Sequence, residues 1–354
     1  MQQLPEMPEY TLAVPPTPLG PPMPGVAGPA VMEERGRNAL TIAAATLLFV
    51  AAVVHVVGLF SARVSSATDP LAYDWPASLG EWIWYGVWFP VLGELVLSRR
   101  RRELGLGLTV ALAVAWPANE LVSFLPSYFE PHGKPGNVLP YDATLLLLMA
   151  AGVVAGIELW RGRRRNVGAL PPALGMRLLC VIGGTAAAVA WFVGDWLDWS
   201  TDRISYVTVT GAPVSRSTTC CHFTQLGAWG KAEVIDSLVV LVLFAVLAAF
   251  ARSPKVSAGF LVGGVLFLGG QPVTTIVRAL IPGPSMYGAN RAAQLALGLR
   301  DLDVSSTPLA GFWIASGGLV LLLVLAVLRL RSRSRGHNVS SARRTSDAVR
   351  LVEP

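Results

Sequence analysis

Residues 308–330 read PLAGFWIASGGLVLLLVLAVLRL and are followed at once by Arg331, Arg333 and Arg335. Arg329 is the only charged residue inside this run. A helix needs roughly 20 mostly apolar residues to cross the hydrocarbon core of a bilayer, and a basic flank marks its cytoplasmic end. The segment therefore predicts a transmembrane helix whose C-terminal end faces the cytoplasm.

The composition of the whole chain extends this prediction. Of its 354 residues, 53% are hydrophobic and only 14% are charged, whereas soluble domains carry about a quarter of charged residues. So many apolar side chains cannot be buried inside soluble cores. A small protein stabilised by disulfides is also excluded, because three cysteines are too few for a disulfide framework. The composition thus excludes an ordinary soluble protein and indicates an integral membrane protein.

Further apolar segments of similar length predict an all-α fold, a polytopic membrane helical bundle of about eight transmembrane helices. The segment at 79–97 is the weakest, because Glu81 and Glu94 lie within it, and Gln271-Pro272 interrupts the seventh. The predicted spans are 39–60, 79–97, 104–125, 142–160, 174–197, 233–251, 257–280 and 308–330.

The basic residues set the predicted topology. Twenty of the 28 lysines and arginines fall on one side of the bilayer under this assignment, and the positive-inside rule makes that side the cytoplasm. Both termini are then cytoplasmic. The protein is predicted to be a multi-pass protein of a cell membrane, and its content of alanine, valine, leucine and arginine is typical of a bacterium with a high-GC genome. The net charge of +6 reflects this topology, so we expect no nucleic-acid partner.

The two ends of the chain differ from its middle. The first 38 residues hold nine prolines and no apolar run, and the segment after residue 330 is rich in arginine and serine. Such compositions are typical of disordered segments. We therefore predict a disordered cytoplasmic leader over 1–38, a transmembrane helical domain over 39–330, and a basic disordered cytoplasmic tail over 331–354.

Acidic residues concentrate at the outer ends of five predicted spans. Ionisable groups at membrane depth are costly and are therefore candidates for function, although helix ends also favour charges near lipid headgroups. In a packed bundle these acids could line one pocket, where crowded carboxyl groups hold protons and act as general acids. The seven outer acids are Glu81, Glu120, Asp142, Asp195, Asp198, Glu233 and Asp236.

A metal site is the alternative for the loop that carries Cys220, Cys221 and His222. Zinc sites usually show two cysteines separated by two residues or spaced histidine pairs, and this spacing does not match. We therefore predict no metal ligand and no cofactor, and the two cysteines form either a disulfide or a free pair. His55, late in the first span, is either a proton relay or a core histidine bonded to a backbone carbonyl.

Several short motifs together resemble a known family. The fifth span closes with Asp195-Trp196-Leu197-Asp198-Trp199, then come Tyr206 and Gly211-Ala212-Pro213, and later His222-Phe223-Thr224-Gln225 precedes Glu233. A basic patch at Arg99 to Arg102 leads into a helix with Trp116-Pro117 near its end. Over about residues 90–240 this order resembles the AveC-like spirocyclase family of actinobacterial membrane proteins. The family's Asn-rich stretch with Gly-Ser-Trp is replaced here by 126–133, PSYFEPHG.

The resemblance implies a function in antibiotic biosynthesis: ring closure of a polyketide dihydroxy-ketone to a spiroketal, sometimes followed by dehydration. The substrate is then a lipophilic small molecule, and membrane lipids are the other expected partners. Glu120, Asp195 and Asp198 are the candidate proton donors, and Glu233 or Asp236 is the candidate base. The candidate substrate-binding residues are Glu81, Asp142, Tyr206, His222 and Trp116.

Three other functions fit the same sequence. A membrane terpene cyclase would protonate an alkene or epoxide with the same acids. A proton-coupled transporter of a hydrophobic molecule would use them as a relay, although transporters commonly show inverted repeats and paired broken helices. An assembly protein without chemistry would tolerate replacement of each acid.

Overall fold

The structure is a computed structural model that describes residues 29–68, 75–129, 139–165, 173–208, 210–220, 228–280 and 300–350. Within these ranges 84% of the residues are helical. The helices are α1 Pro29–Thr68, α2 Trp75–Leu97, α3 Arg102–Phe129, α4 Leu139–Arg165, α5 Leu174–Trp196, α6 Ala228–Phe250, α7 Pro254–Leu268, α8 Gly270–Leu280 and α9 Ala310–Arg350.

Six of these helices are long and apolar enough to cross a membrane. Much of their apolar surface is exposed: Ile182 on α5 is 65% exposed and Val153 on α4 is 63% exposed. In water such surface would be costly, whereas lipid tails are as apolar as these side chains. The apolar windows are Ala39–Gly58, Arg102–Val122, Ala143–Gly162, Leu174–Trp196, Lys231–Phe250 and Ala310–Ser332.

The second and seventh predicted spans differ from the other six. In α2 the side chains are described only from Gly86 onward, and Gly86–Leu97 is a short apolar helix. The segment 257–280 is not one helix, because α7 ends at Leu268 with Gly269 as its C-cap and α8 starts at the next residue. At about 1.5 Å per residue, α7 is shorter than the hydrocarbon core is thick. The count of eight spans and the orientation of the termini stay predictions.

A three-stranded antiparallel sheet corrects the expectation of a purely helical chain. Strand β1 covers Ser200–Val207, β2 covers Pro213–Cys220 and β3 covers Arg300–Pro308, in the order β2-β1-β3. These segments lie between predicted spans, and no strand was expected there. Their alternating apolar residues are few, Ile204 and Tyr206 in β1 and Leu302 and Val304 in β3, and polar residues occur on both faces.

The sheet is a direct continuation of a helix pair. Helix α5 runs into β1, and β3 runs into α9, so the packed helices α5 and α9 continue as the ladder β1/β3. Two backbone hydrogen bonds form the junction: the Leu309 N–H donates to the Trp199 carbonyl at 2.9 Å, and the Gly311 N–H donates to the Asp198 carbonyl at 3.1 Å. The first strand pair, Ser200 with Pro308, follows immediately.

Glycine and alanine line the closest helix contacts. A Cβ added to Gly318 of α9 would lie 2.6 Å from the Ala187 carbonyl oxygen of α5. A Cβ added to Gly184 of α5 would lie 2.3 Å from the Ala245 Cβ of α6. Small residues let helix backbones approach closely in membranes, where packing contacts replace the hydrophobic driving force. The bundle therefore depends on the absence of side chains at these positions.

We expect Gly318→Ala to lower the apparent melting temperature of the purified protein in detergent by several degrees. The new methyl group meets the backbone carbonyl of Ala187, which cannot move without separating α5 from α9. The matched control is Gly317→Ala, one residue earlier, where a Cβ would meet nothing within 4 Å. Equal melting temperatures for the two variants would contradict this packing.

Candidate functional site

The C-terminal end of α5 holds Asp195 beside a cluster of aromatic rings. The indole N–H of Trp191 donates a hydrogen bond to the Asp195 carboxyl group. The Trp191 ring is almost fully buried and meets the Trp199 ring edge to face, with 5.5 Å between the centroids. Trp199 meets Phe312 of α9 in the same way at 6.1 Å. One carboxyl group of a predicted site residue thus stands next to a largely apolar aromatic surface.

Helix α8 is tied to this cluster by a buried hydrogen bond. The Trp199 Nε1–H donates to the Thr275 hydroxyl at 3.0 Å, and that hydroxyl donates to the Gln271 carbonyl at 3.1 Å. Pro272 lies in the first turn of α8, where a missing N–H costs little.

A second acid is held in the same manner on α3. The Trp116 Nε1–H donates to Glu120 Oε1 at 3.3 Å. The buried Trp116 ring stacks on Phe89 of α2, with 5.6 Å between centroids and 4° between planes. His55 of α1 is buried against both rings, at 5.8 Å from Phe89 and 6.4 Å from Trp116. His55 therefore packs in the core, and its role as a proton relay stays a prediction.

The two acids share a spacing that the sequence analysis did not use. In both helices a tryptophan lies four residues before the acid, Trp116 before Glu120 and Trp191 before Asp195, and residues at this spacing face each other on a helix. Trp191 is therefore a candidate residue that the sequence analysis missed. Glu233 is likewise preceded by Trp229, whose side chain lies outside the described part of the structure.

The acids of α6 form an interacting pair. Glu233 and Asp236 lie three residues apart near the start of the helix and interact electrostatically, as expected for one helix face. Asp236 Oδ2 is buried, and no described residue forms a hydrogen bond with it. Since α6 packs along α5, this pair and Asp195 belong to neighbouring helices.

Asp198 and Tyr206 lie at the junction and in the sheet. The backbone carbonyl of Asp198 accepts the hydrogen bond from Gly311, and its side chain is partly exposed. Tyr206 of β1 stands opposite an irregularity in β3, since the register shifts between Ser205–Asp303 and Val207–Arg300. Such bulges change the direction of a strand and are frequent next to binding sites.

The remaining predicted site residues lie outside what the structure describes. His222 and Cys221 are in the segment 221–227, and the side chains of Glu81, Asp142 and Cys220 are also outside it. Whether all seven outer acids share one pocket therefore stays a prediction. In the described ranges, no group of three or more histidine, cysteine, aspartate or glutamate side chains could hold a metal ion.

No protein-family model, curated protein or solved structure matches the chain at a significant level. The resemblance to the AveC-like family therefore rests only on the sequence motifs quoted above. The chemistry of the site has to be inferred from its own residues.

We expect the loss of the hydrogen bond between Trp199 and Thr275 to cost more in Thr275→Val than in Trp199→Phe. The first variant leaves a buried indole N–H without an acceptor, which costs about 1–3 kcal/mol. The second leaves the Thr275 hydroxyl bonded to Gln271. SDS titration in mixed micelles measures the free energy of unfolding of each single variant. The double variant, measured in the same way, completes a double-mutant cycle. Strictly additive losses would contradict a direct interaction between Trp199 and Thr275.

Proposed function

We propose that this protein is an integral membrane cyclase that acts on a lipophilic small molecule by acid–base catalysis at the outer ends of its helices. The observation that carries the proposal is the Asp195 carboxyl group, which is hydrogen-bonded to Trp191, the first ring of an aromatic cluster that continues to Trp199 and Phe312. A carboxyl group fixed against aromatic rings suits a substrate that is apolar and reacts by protonation.

Asp195 is the proposed proton donor. Its hydrogen bond from Trp191 uses one acceptor position and leaves others for the substrate. The proton goes to the hydroxyl group of a hemiketal, the C–O bond breaks, and water leaves. The indole N–H then stabilises the carboxylate that remains, and the aromatic faces favour the positive charge on the substrate. No cofactor takes part in this step.

The pair on α6 supplies the proposed base. A second hydroxyl group of the substrate attacks the oxocarbenium carbon, and its proton must pass to an acceptor as the ring closes. Asp236 offers a buried carboxylate oxygen to which no described residue donates, and Glu233 lies one turn away. Glu120, held by Trp116 on α3, is the alternative proton donor.

The finer substrate class follows from the motifs around Asp195 and Glu233. Their resemblance to the AveC-like family supports a polyketide dihydroxy-ketone that closes to a spiroketal, as part of antibiotic biosynthesis in an actinobacterial membrane. The aromatic cluster around Trp199 equally suits the carbocations of a terpene cyclase, which is the alternative enzyme. A transporter finds some support in the break at Gly269 between α7 and α8.

We expect Asp195→Asn to abolish product formation when the variant gene complements a deletion strain. An amide cannot supply the proton, while its size and its contact with Trp191 are nearly unchanged. The matched control is Glu94→Gln, an exposed acid on α2, which should restore the product fully. Untargeted metabolite profiling of cells and medium provides the measurement, with protein amounts checked by immunoblot.

The identity of the accumulated precursor distinguishes the alternatives. A precursor heavier than the product by one water supports spiroketal formation, and an isomeric precursor supports a terpene-type cyclisation. Unchanged metabolites in the deletion strain would disprove an enzyme, and metabolites that are only redistributed across the membrane would indicate transport. Full activity of Asp195→Asn at normal protein levels would mean that Asp195 is not the proton donor and that another acid is.

Trp191→Phe should lower the rate about 10- to 100-fold without removing activity. The phenyl ring preserves most of the packing, whereas the loss of a hydrogen bond to a charged group corresponds to about 1.5–3 kcal/mol. The control is Trp196→Phe on the same helix, where the side chain is 45% exposed. Equal rates for the two variants in membrane vesicles supplied with the accumulated precursor would show that Trp191 acts only in packing.

A further inference from the structure

The other end of the bundle contains a buried arginine. Arg329 of α9 is only 4% exposed. Its Nε–H donates to the Ser257 hydroxyl at 3.0 Å, and its Nη2–H donates to the Ala251 carbonyl at 2.9 Å. The Ser257 hydroxyl in turn donates to the Ala248 carbonyl at 2.7 Å. The guanidinium group is thus fixed by neutral acceptors of the α6–α7 turn.

A second arginine lies next to it. Arg177, in the first turn of α5, interacts electrostatically with Arg329 and stands over the Phe250 ring, 5.9 Å from its centroid. Its Nε atom is buried and has no hydrogen-bond partner among the described residues. Arg329 bonds to the Ala251 carbonyl and Arg177 stands over the neighbouring Phe250, so guanidinium groups from α9 and α5 both lie at the C-terminal end of α6.

No carboxylate in the described ranges forms an ion pair with either arginine. The ionisable group that interacts with Arg329 besides Arg177 is the buried thiol of Cys180, which is also hydrogen-bonded to Ser257. Two like charges removed from water repel each other, and each loses its hydration. A counter-charge would stabilise such a pair, and no acid in the described ranges forms an ion pair with it.

We propose that Arg177 and Arg329 bind the phosphate group of an anionic phospholipid. Guanidinium groups form paired hydrogen bonds with phosphate oxygens, and the partly exposed Arg177 can offer them while the buried Arg329 adds its charge. Both residues stand at the ends of their membrane spans, Leu174–Trp196 and Ala310–Ser332, which is the level of lipid headgroups. This is also the end at which the basic loops place the cytoplasm.

The surface around the pair favours a lipid over a free phosphate ion. Leu174, Leu178 and Phe250 are exposed at 71%, 50% and 63%, and they flank Arg177 on α5 and α6. These side chains offer an apolar surface to the acyl chains of a lipid whose phosphate lies at the arginines. The bound lipid would connect α5 to α9 by neutralising both charges.

Thermal unfolding of the full-length protein in a neutral detergent tests this site. The probes are dioleoylphosphatidylglycerol, dioleoylphosphatidylcholine and inorganic phosphate. Phosphatidylglycerol should raise the melting temperature by several degrees, whereas phosphatidylcholine and inorganic phosphate should have little effect. An equal rise with phosphatidylcholine would overturn the proposal, and an equal rise with inorganic phosphate would replace the lipid with a free anion.

Variants locate the effect. Arg177→Gln should weaken phosphatidylglycerol binding about tenfold, as measured by native mass spectrometry, because it removes one charged donor. Arg252→Gln is the control, since Arg252 is exposed at the same end of the bundle. Arg329→Gln removes contacts to the α6–α7 turn and tests stability as well, so Arg177→Gln decides the outcome. Unchanged lipid binding in Arg177→Gln would overturn the proposal.

A further variant tests the rival counter-charge. If the thiolate of Cys180 neutralises Arg329, then Cys180→Ala should greatly destabilise the lipid-free protein, and phosphatidylglycerol should stabilise that variant more than the wild type. That result would overturn the proposal that lipid is the counter-charge of the native protein. We expect instead that Cys180→Ala leaves the response to phosphatidylglycerol unchanged.

Discussion

Helices α5 and α9 approach each other closely where α5 ends and α9 begins, and the rest of the candidate site depends on that approach. The Gly311 N–H reaches the Asp198 carbonyl, and a Cβ at Gly311 would lie 2.5 Å from the Gly194 carbonyl oxygen. Because the backbones are this close, β1 and β3 begin in register directly beyond the helices. The same approach brings Phe312 against Trp199, and Trp199 in turn bonds to Thr275 on α8.

The helices could be predicted from the sequence because a long apolar run is a local property. Six predicted spans are confirmed as helices of sufficient length. The seventh, predicted to be interrupted at Gln271-Pro272, consists of two helices that meet at Gly269. The strands could not be predicted, since β1 and β3 pair across most of the second half of the chain and carry polar residues on both faces.

The candidate site was predictable in part for a similar reason. Acids at membrane depth are rare, so Asp195, Glu120 and Asp236 were found from sequence as costly residues. Trp191 was not predicted, because a tryptophan in an apolar helix is usually a packing residue. Only its position four residues before Asp195 distinguishes it. Thr275 could not be found at all, because its partner Trp199 is separated from it by a loop, a strand pair and two helices.

The position of Gly194 next to Asp195 has a consequence for divergence among related proteins. A side chain at Gly194 would collide with Ala315 and Gly311, so the helix that carries the acid cannot be altered there without moving α9. The strands are under no such restriction, since Arg203, Ser215 and Arg216 of β1 and β2 are exposed. Sequence changes should therefore be tolerated mainly in the sheet, while the residues of the α5–α9 contact stay constant and the acid keeps its place.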